Sequence, residues 1–280
     1  MTHTTIEFGY DQDSCNFDGK VASPRESQRI LDVVNPMRER AGEGSGFRMV
    51  SQNNFQSNIG LGASASGFAA LSVATAKALD LDLDLEQISR YARRGAGSAS
   101  RAVTGGFSLW YAGKDDESSY STQIASSKDL DMGIVAALVP AYKSTEDAHR
   151  SVVSSPFFKA RLEYVKDAIP QMEGAIRSRN FEQIGRLAEL DTLLLHGITM
   201  TGVDELFLWR PETVSIILEV KKMRAEGLQC YFSIDTGATV YINSRLGDSN
   251  DVAERINGLG IKTLKCHVGD EARVVDDHLF

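Results

Sequence analysis

A loop rich in glycine and serine leads directly into a helix of small residues at 54–71, and this transition constrains the fold strongly. Gly60 and Gly62 permit backbone conformations that other residues avoid, and they leave room for a ligand to approach the main chain. Ser64 and Ser66 place hydroxyls beside the N–H groups of a helix N-terminus, which carries partial positive charge. The segment predicts a phosphate cradle. The alternative is an ordinary loop with serine caps.

This loop lacks the signatures of two common nucleotide-binding motifs. No Gly-Lys-Ser or Gly-Lys-Thr follows it, so it is not a Walker loop. Ala65 stands where the dinucleotide-binding fingerprint requires its third glycine. The predicted cradle therefore belongs to another class of anion site.

Composition excludes several classes of partner. The chain has 280 residues, enough for one large domain or two smaller ones, and a net charge of −8, which argues against a nucleic-acid partner. No apolar run reaches membrane-spanning length and no signal peptide opens the chain, so we expect a cytoplasmic protein without a membrane partner. Cys15, Cys230 and Cys266 lack metal-ligand spacing, which favours a reducing compartment and predicts no metal site formed by protein ligands.

A polar stretch at 126–131 divides the chain, and we predict domains at 1–127 and 128–280. Periodicity in the first part predicts strands at 4–10, 16–21, 47–52, 105–111 and 120–125, and helices at 24–41, 64–79 and 86–94. In the second part it predicts strands at 134–140, 231–234, 239–243 and 261–266, and helices at 145–178, 180–196, 211–226 and 249–257. This order is typical of an α+β fold with an antiparallel sheet. The last dozen residues are polar, and we expect them to be loose.

Asp235 opens an Asp-Thr-Gly-Ala segment between two apolar strands. One hypothesis is a catalytic aspartate that faces a substrate hydroxyl. A second is an aspartic protease, but that class needs an all-β context and a second such aspartate, whereas long helices precede this motif. A third interpretation is an aspartate that only makes a turn.

A second loop of small residues runs from Gly95 to Arg101. Arginine suits bidentate contacts with carboxylate or phosphate. The alternative is a basic helix end facing solvent. The two loops, with Arg101 and Asp235, suggest one anion site that holds two phosphorylated partners. His149, His196 and His267 have no metal spacing, which favours structural roles for all three.

Three segments, in this order along the chain, resemble the signatures of one family. Residues 53–71 resemble the phosphate loop of the GHMP kinase superfamily, in its mevalonate diphosphate decarboxylase branch. Residues 92–107 resemble the second signature of that branch, and 234–241 resemble the third, which carries the catalytic aspartate. Two further segments, 139–146 and 200–202, resemble the archaeal phosphomevalonate decarboxylases in particular.

The resemblance implies a GHMP-kinase-like α+β fold. An N-terminal half like ribosomal protein S5 domain 2 and a ferredoxin-like C-terminal half would flank a central cleft. The implied enzyme is a carboxy-lyase of the mevalonate pathway of isoprenoid biosynthesis. It would use ATP and Mg²⁺ to convert 5-phosphomevalonate or 5-diphosphomevalonate to isopentenyl phosphate or isopentenyl diphosphate. A small-molecule substrate is thus the implied partner, and the resemblance also allows a homodimer.

The resemblance also implies roles for individual residues. The catalytic residues would be Asp235, facing the 3-hydroxyl, and Arg101, on the substrate carboxylate. The substrate would be bound by Gly97, Ser98 and Arg101. The ATP phosphates would be bound by Gly60, Gly62, Ala63, Ser64 and Ser66.

This sequence departs from the family pattern at three places. Gln56 replaces a common proline, and Ala96 replaces a serine that helps bind substrate in many diphosphate-using relatives. Family members begin earlier, with a strand and a substrate loop, so we expect this chain to be a shortened form. Two alternatives therefore stay open: a mevalonate-type 3-kinase that releases no carbon dioxide, and a truncated, non-catalytic nucleotide binder.

Overall fold

The computed structural model describes residues 1–55, 61–140 and 150–280. The chain forms two compact units: residues 1–126 together with 269–280, and residues 127–268. The units divide in sequence within the polar stretch at 126–131, but the last residues of the chain belong to the first unit.

The first unit contains a four-stranded sheet in the spatial order β1-β4-β2-β3. Its strands are β1 (Thr2–Tyr10), β2 (Ser14–Phe17), β3 (Lys20–Val21) and β4 (Gly46–Asn53). β4 pairs antiparallel with β1 and parallel with β2. The single strand predicted at 16–21 is in fact a β2–β3 hairpin, because Asp18 and Gly19 both adopt positive φ and turn the chain.

Helices and a short hairpin complete the first unit. They are α1 (Pro24–Ala41), α2 (Ala63–Ala78), α3 (Leu85–Gly95), α4 (Ala99–Thr104), β5 (Phe107–Trp110) and β6 (Ser121–Ala125). α1 begins at a capping box between Ser23 and Glu26 and ends at Gly42 in the left-handed conformation. Its buried face, at helical spacing, consists of Ile30, Val33, Val34 and Met37. The helices 24–41, 64–79 and 86–94 were thus correctly predicted, but α4 was not predicted.

Residues 269–280 are not loose, as their polarity suggested, but pack on the first unit. Three main-chain N–H groups hold them there: Gly106 N bonds Gly269 O (2.8 Å), Ala272 N bonds Val103 O (3.0 Å) and Leu279 N bonds Thr5 Oγ1 (3.1 Å). The guanidinium of Arg48 lies 4.1 Å from the centre of the Phe280 ring. The prediction that 269–280 belong to the second domain was therefore wrong. Main-chain bonds hold the segment, and composition does not report them.

The second unit contains an antiparallel sheet in the order β10-β7-β9-β8. Its strands are β7 (Gly133–Ala137), β8 (Cys230–Ser233), β9 (Val240–Ser244) and β10 (Thr263–His267). With α7 (Pro211–Ala225) after β7 and α8 (Ser249–Asn257) after β9, the chain follows the β-α-β-β-α-β order of a ferredoxin-like fold. α7 and α8 bury one face of the sheet in an apolar core with Val135, Val240 and Ile242.

Two further helices, α5 (Phe158–Arg177) and α6 (Phe181–Met200), are inserted between β7 and α7. The helix predicted at 145–178 begins only at Phe158, after a 3₁₀ turn at Val152–Ser154, and its residues 145–149 lie outside the described ranges. α6 packs against β8 and α5. Phe181 in its first turn makes an edge-on contact with Tyr231 of β8.

Two glycines of α6 stand in opposite environments. A Cβ at Gly185 would overlap the ring of Tyr231, whereas a Cβ at Gly197 would meet no atom within 4 Å. We expect Gly185→Ala to lower the free energy of unfolding by about 1–3 kcal/mol through overpacking. The matched variant Gly197→Ala should raise it by about 0.5–1 kcal/mol, because alanine has the higher helix propensity. Urea unfolding of both variants measures the difference. Equal effects of the two substitutions would contradict this packing.

Candidate active site

The predicted phosphate cradle lies at the beginning of α2. Gly62 precedes the helix in the left-handed conformation (φ 69°, ψ 32°), and no side chain of the residues that the structure describes caps the helix N-terminus. Gly62 and Ser64 are exposed. The N–H groups of the first turn have no helical acceptor, so this end suits an anion. Gly60 lies outside the described residues.

The hydroxyl of Ser66 has partners within the protein. It lies 2.6 Å from Thr2 Oγ1 and 3.3 Å from Ala63 O. Thr2 Oγ1 in turn donates to Asn53 Oδ1 at 2.6 Å. Ser66 therefore connects the beginning of α2 to β1, a structural contact that the sequence did not indicate.

The second loop leads into α4, with Ser98 as the residue before the helix. Ser98 and Arg101 are exposed and lie three residues apart, on the same side of this helical turn. Gly97 lies against the ring of Trp110, where a Cβ would be 3.0 Å from the nearest ring atom. The absence of a side chain at Gly97 thus allows Trp110 to support the main chain next to Ser98.

Arg29 of α1 fixes the other end of this loop. Its Nε and Nη2 donate to Gly95 O at 2.9 and 2.7 Å, and its guanidinium lies 4.7 Å from the centre of the Phe68 ring. Phe68 of α2 packs so closely on Gly95 that a Cβ there would overlap the ring. α2, which follows the cradle, is therefore in contact with α3, which leads to Ser98 and Arg101.

Three arginines of α3 bind one carboxylate in the loop between β5 and β6. Asp116 forms salt bridges with Arg90 (3.1 Å), Arg93 (2.5 Å) and Arg94 (2.9 Å). Burial alone would raise the pKa of the Asp116 carboxyl, but hydrogen bonds and charges of the arginines outweigh it and hold that pKa below its usual value. These salt bridges hold the loop that follows Trp110 against α3.

In the second unit, Asp235 lies in the loop between β8 and β9. Asp235 is exposed, whereas Gly237, Ala238 and Thr239 are buried. The main-chain oxygen of Asp235 lies 3.0 Å from Nε2 of His196, a buried residue of α6. Thr213 Oγ1, at the beginning of α7, donates to Ala238 O at 3.1 Å. Side chains of two helices thus hold both ends of a loop that presents one exposed carboxylate.

The phenol of Tyr241, on β9, is within range of the negative charge of Asp235. Burial, together with the negative charge of Asp235, raises the pKa of the Tyr241 phenol to about 12. The phenol therefore stays protonated at neutral pH, and it is a neutral neighbour of the carboxylate.

Other chemistries find little support in this structure. The α+β context of Asp235 is not the all-β context that an aspartic protease needs. Burial raises the pKa of the Cys15 and Cys230 thiols to about 11, so neither offers a thiolate near neutrality. Among the residues that the structure describes, no group of three His, Cys, Asp or Glu side chains is arranged to hold a metal ion. No helix in the described ranges combines the length and apolarity needed to cross a membrane.

Comparison with known proteins identifies the family of this chain. The diphosphomevalonate decarboxylase-like N-terminal domain model matches residues 1–121, and the mevalonate 5-diphosphate decarboxylase C-terminal domain model matches residues 134–263. The phosphomevalonate decarboxylase of Haloferax volcanii is 42% identical over 279 residues, which cover 99% of this chain and 86% of that protein. The chain belongs to the mevalonate diphosphate decarboxylase family.

Solved structures of this family share the fold. The Staphylococcus aureus mevalonate diphosphate decarboxylase is 25% identical with a TM-score of 0.90, over 97% of this chain and 85% of that one. The Enterococcus faecalis enzyme is 28% identical with a TM-score of 0.87, over 96% and 85%. A structure of MDDEF in complex with MVAPP, AMPPCP and magnesium gives the same values. The predicted family and the GHMP-kinase-like α+β fold are therefore confirmed.

The Asp116 cluster predicts a pH dependence of stability. Because the folded-state pKa of Asp116 is lowered, its contribution is present above the unfolded pKa of about 3.9 and is lost as the pH falls through the folded value. We expect the difference in free energy of unfolding between the parent protein and Asp116→Asn to shrink from about pH 5 downwards.

Urea unfolding from about pH 7 to 3.5 measures this difference. Glu117→Gln, which removes another carboxylate of the same loop, is the control. A constant difference across this range would show that the arginines do not stabilise the Asp116 carboxylate.

Proposed function

We propose that this protein catalyses the ATP-dependent decarboxylation of 5-phosphomevalonate to isopentenyl phosphate, a reaction of the mevalonate pathway. The observation that carries the proposal is the 42% identity, over 99% of the chain, to a phosphomevalonate decarboxylase. Ala96, in place of a serine of many diphosphate-using relatives, is consistent with the monophosphate substrate. The alternative substrate is 5-diphosphomevalonate, which would give isopentenyl diphosphate. A cytoplasmic location and a homodimer remain predictions.

The beginning of α2 fits the phosphates of ATP. The helix has 16 residues, no capping side chain and no acidic residue in its first turn. The N–H groups of Ala63 and Ser64 would bind phosphate oxygens, and the exposed Ser64 hydroxyl would add a donor. Gly62 leaves the main chain accessible, and Gly60 belongs to the proposed set. Ser66 would join it by exchanging the contacts of its hydroxyl with Thr2 and Ala63 for a phosphate oxygen. The nucleotide phosphates would hold Mg²⁺, and bound ATP would supply the phosphoryl group that turns the substrate hydroxyl into a leaving group.

Ser98 and Arg101 would bind the substrate. A guanidinium can form two parallel hydrogen bonds with a carboxylate, which orients the group that leaves as carbon dioxide. Gly97 would present its main chain to the substrate, supported from behind by the ring of Trp110. The contacts of Gly95 with Arg29 and Phe68 would keep this loop in place during turnover.

Asp235 would accept a hydrogen bond from the 3-hydroxyl and remove its proton. The carboxylate is exposed on a loop whose main chain is held by His196 and Thr213. Positioning of the reacting groups supplies much of the rate enhancement in phosphoryl transfer. A fixed main chain at Asp235 would therefore help to position its carboxylate against the 3-hydroxyl.

Turnover with each purified substrate tests the proposed reaction. We expect ADP and carbon dioxide to form in equal amounts from 5-phosphomevalonate, with a lower kcat/KM for 5-diphosphomevalonate. ADP without carbon dioxide would instead indicate the 3-kinase. Absence of ADP from mevalonate and both phosphorylated forms, in a protein that binds ATP, would indicate the non-catalytic nucleotide binder.

Asp235→Asn tests the catalytic carboxylate. We expect kcat to fall by about 10²–10⁴, because the amide cannot accept the hydroxyl proton, while the Kd for ATP changes little. Asp167→Asn, which removes another exposed carboxylate, on α5, is the control for net charge. Near-normal kcat for Asp235→Asn would remove Asp235 from the mechanism.

A further inference from the structure

β8 is the last strand in the order of the second unit's sheet, so one of its edges has no strand beside it among the described residues. Main-chain N–H groups at such an edge need other partners when they are buried. Side chains of α6 provide them. Phe232 N donates to Glu189 Oε1 at 3.1 Å, and Ile234 N donates to Thr192 Oγ1 at 3.1 Å.

The next contact along this edge reaches Asp235. His196 Nε2 lies 3.0 Å from the Asp235 main-chain oxygen. That oxygen can only accept, so Nε2 carries the hydrogen and donates. α6 therefore contacts the main chain at residues 232, 234 and 235, as the chain leaves β8 and enters the Asp235 loop.

The spacing of these side chains matches the strand. Glu189, Thr192 and His196 are at helical positions i, i+3 and i+7, on one face of α6. Seven residues of helix span about 10.5 Å, and the three steps from Phe232 to Asp235 span about 10 Å of extended chain. The helix and the strand thus remain in register up to the loop.

His196 is buried, as Thr192 is, and two neighbours limit the position of its ring. It is 1% exposed, and its ring centre lies 5.3 Å from that of Trp209. On the side of the loop, a Cβ at Gly237 would be 3.4 Å from His196 Cε1, and Gly237 adopts a φ of +88°, which favours glycine. The imidazole is therefore held between Trp209 and the turn that follows Asp235.

We infer that His196 is a positioning residue, which fixes the main chain of Asp235 and thereby places its carboxylate for the reaction. The inference rests on the proposed function, in which Asp235 acts on the 3-hydroxyl. Thr213 holds the loop at Ala238 O, but the contact of His196 is made to Asp235 itself. Loss of this contact should displace the carboxylate without removing it.

Three substitutions of His196 separate positioning from packing. His196→Gln keeps an N–H donor with a reach close to that of Nε2. His196→Asn has the same amide one methylene shorter, and His196→Leu has no donor. Thr192→Val is the matched control, since it removes the neighbouring contact with Ile234 N on the same helix face.

The measurements are kcat, KM for both substrates and Tm. We expect His196→Leu and His196→Asn to lower kcat by about 10–100-fold with little change in KM for ATP, as misplaced catalytic groups do. His196→Gln should stay within about threefold of the parent kcat. Thr192→Val should lower Tm at least as much as His196→Leu, because it leaves a buried N–H without a partner, but should lower kcat less.

Hydrogen exchange gives a readout that does not need turnover. Amides of residues 235–239 should exchange faster in His196→Leu and His196→Asn than in the parent, while those of α8 stay unchanged. If the parent protein releases no carbon dioxide, the proposed function fails, and exchange still tests the positioning. Unchanged exchange in the loop would overturn the inference. A kcat of His196→Asn equal to that of the parent would also overturn it. The same holds if the loss of kcat in the four variants is proportional to their loss of Tm.

Discussion

The outer edge of β8, which faces no other strand in the described part of the chain, is the constraint on which the second unit depends. An antiparallel sheet of four strands leaves N–H and C=O groups at its edge, and here that edge leads directly to Asp235. Side chains of α6, instead of another strand, accept hydrogen bonds from the main-chain N–H groups at this edge. Gly185 allows the helix to approach Tyr231, and Glu189 also accepts a hydrogen bond from Arg224 (2.8 Å). The edge is thus closed to pairing with other chains, and the loop beyond it has a fixed origin.

The first unit uses comparable supports beside its loops. Arg29 holds the main-chain oxygen of Gly95, and the arginines of α3 hold Asp116. Four of the side chains that we assign to the reaction are exposed, namely Ser64, Ser98, Arg101 and Asp235. The side chains that hold main-chain oxygens beside them are buried or half-buried, namely Arg29, His196 and Thr213. This separation fits a site whose reacting groups must meet substrate while their backbone stays in place.

Local signals in the sequence were sufficient to predict most of the helices and strands. The capping box at Ser23 and the glycine at Gly42 define α1, and the order of apolar segments after 131 predicts the antiparallel sheet of an α+β fold. α4 was missed because Gly95–Ser98 has loop composition and the helix that follows is only six residues long.

The supports of the candidate site were harder to predict. The sequence favoured a structural role for His196 because it lacks metal-ligand spacing, but it did not indicate the partner, a main-chain oxygen 39 residues away. Arg29 is 66 residues from Gly95. Contacts of side chains with distant main-chain groups carry no spacing pattern, so only the fold reveals them. Motifs identified the family and the candidate Asp235, but not what holds it.

Residues 269–280 belong to the first unit although they follow the second in sequence, and this affects the order in which the units can fold during synthesis at the ribosome. The second unit is continuous in sequence, so all of its residues emerge before the segment that completes the first. Domains generally fold as units during translation, beginning from the N-terminal side. Until residues 269–280 emerge, Thr5 and Val103 of the first unit lack their bonds to that segment. Of the two units, the one that carries Asp235 is therefore the first whose whole sequence is available to fold.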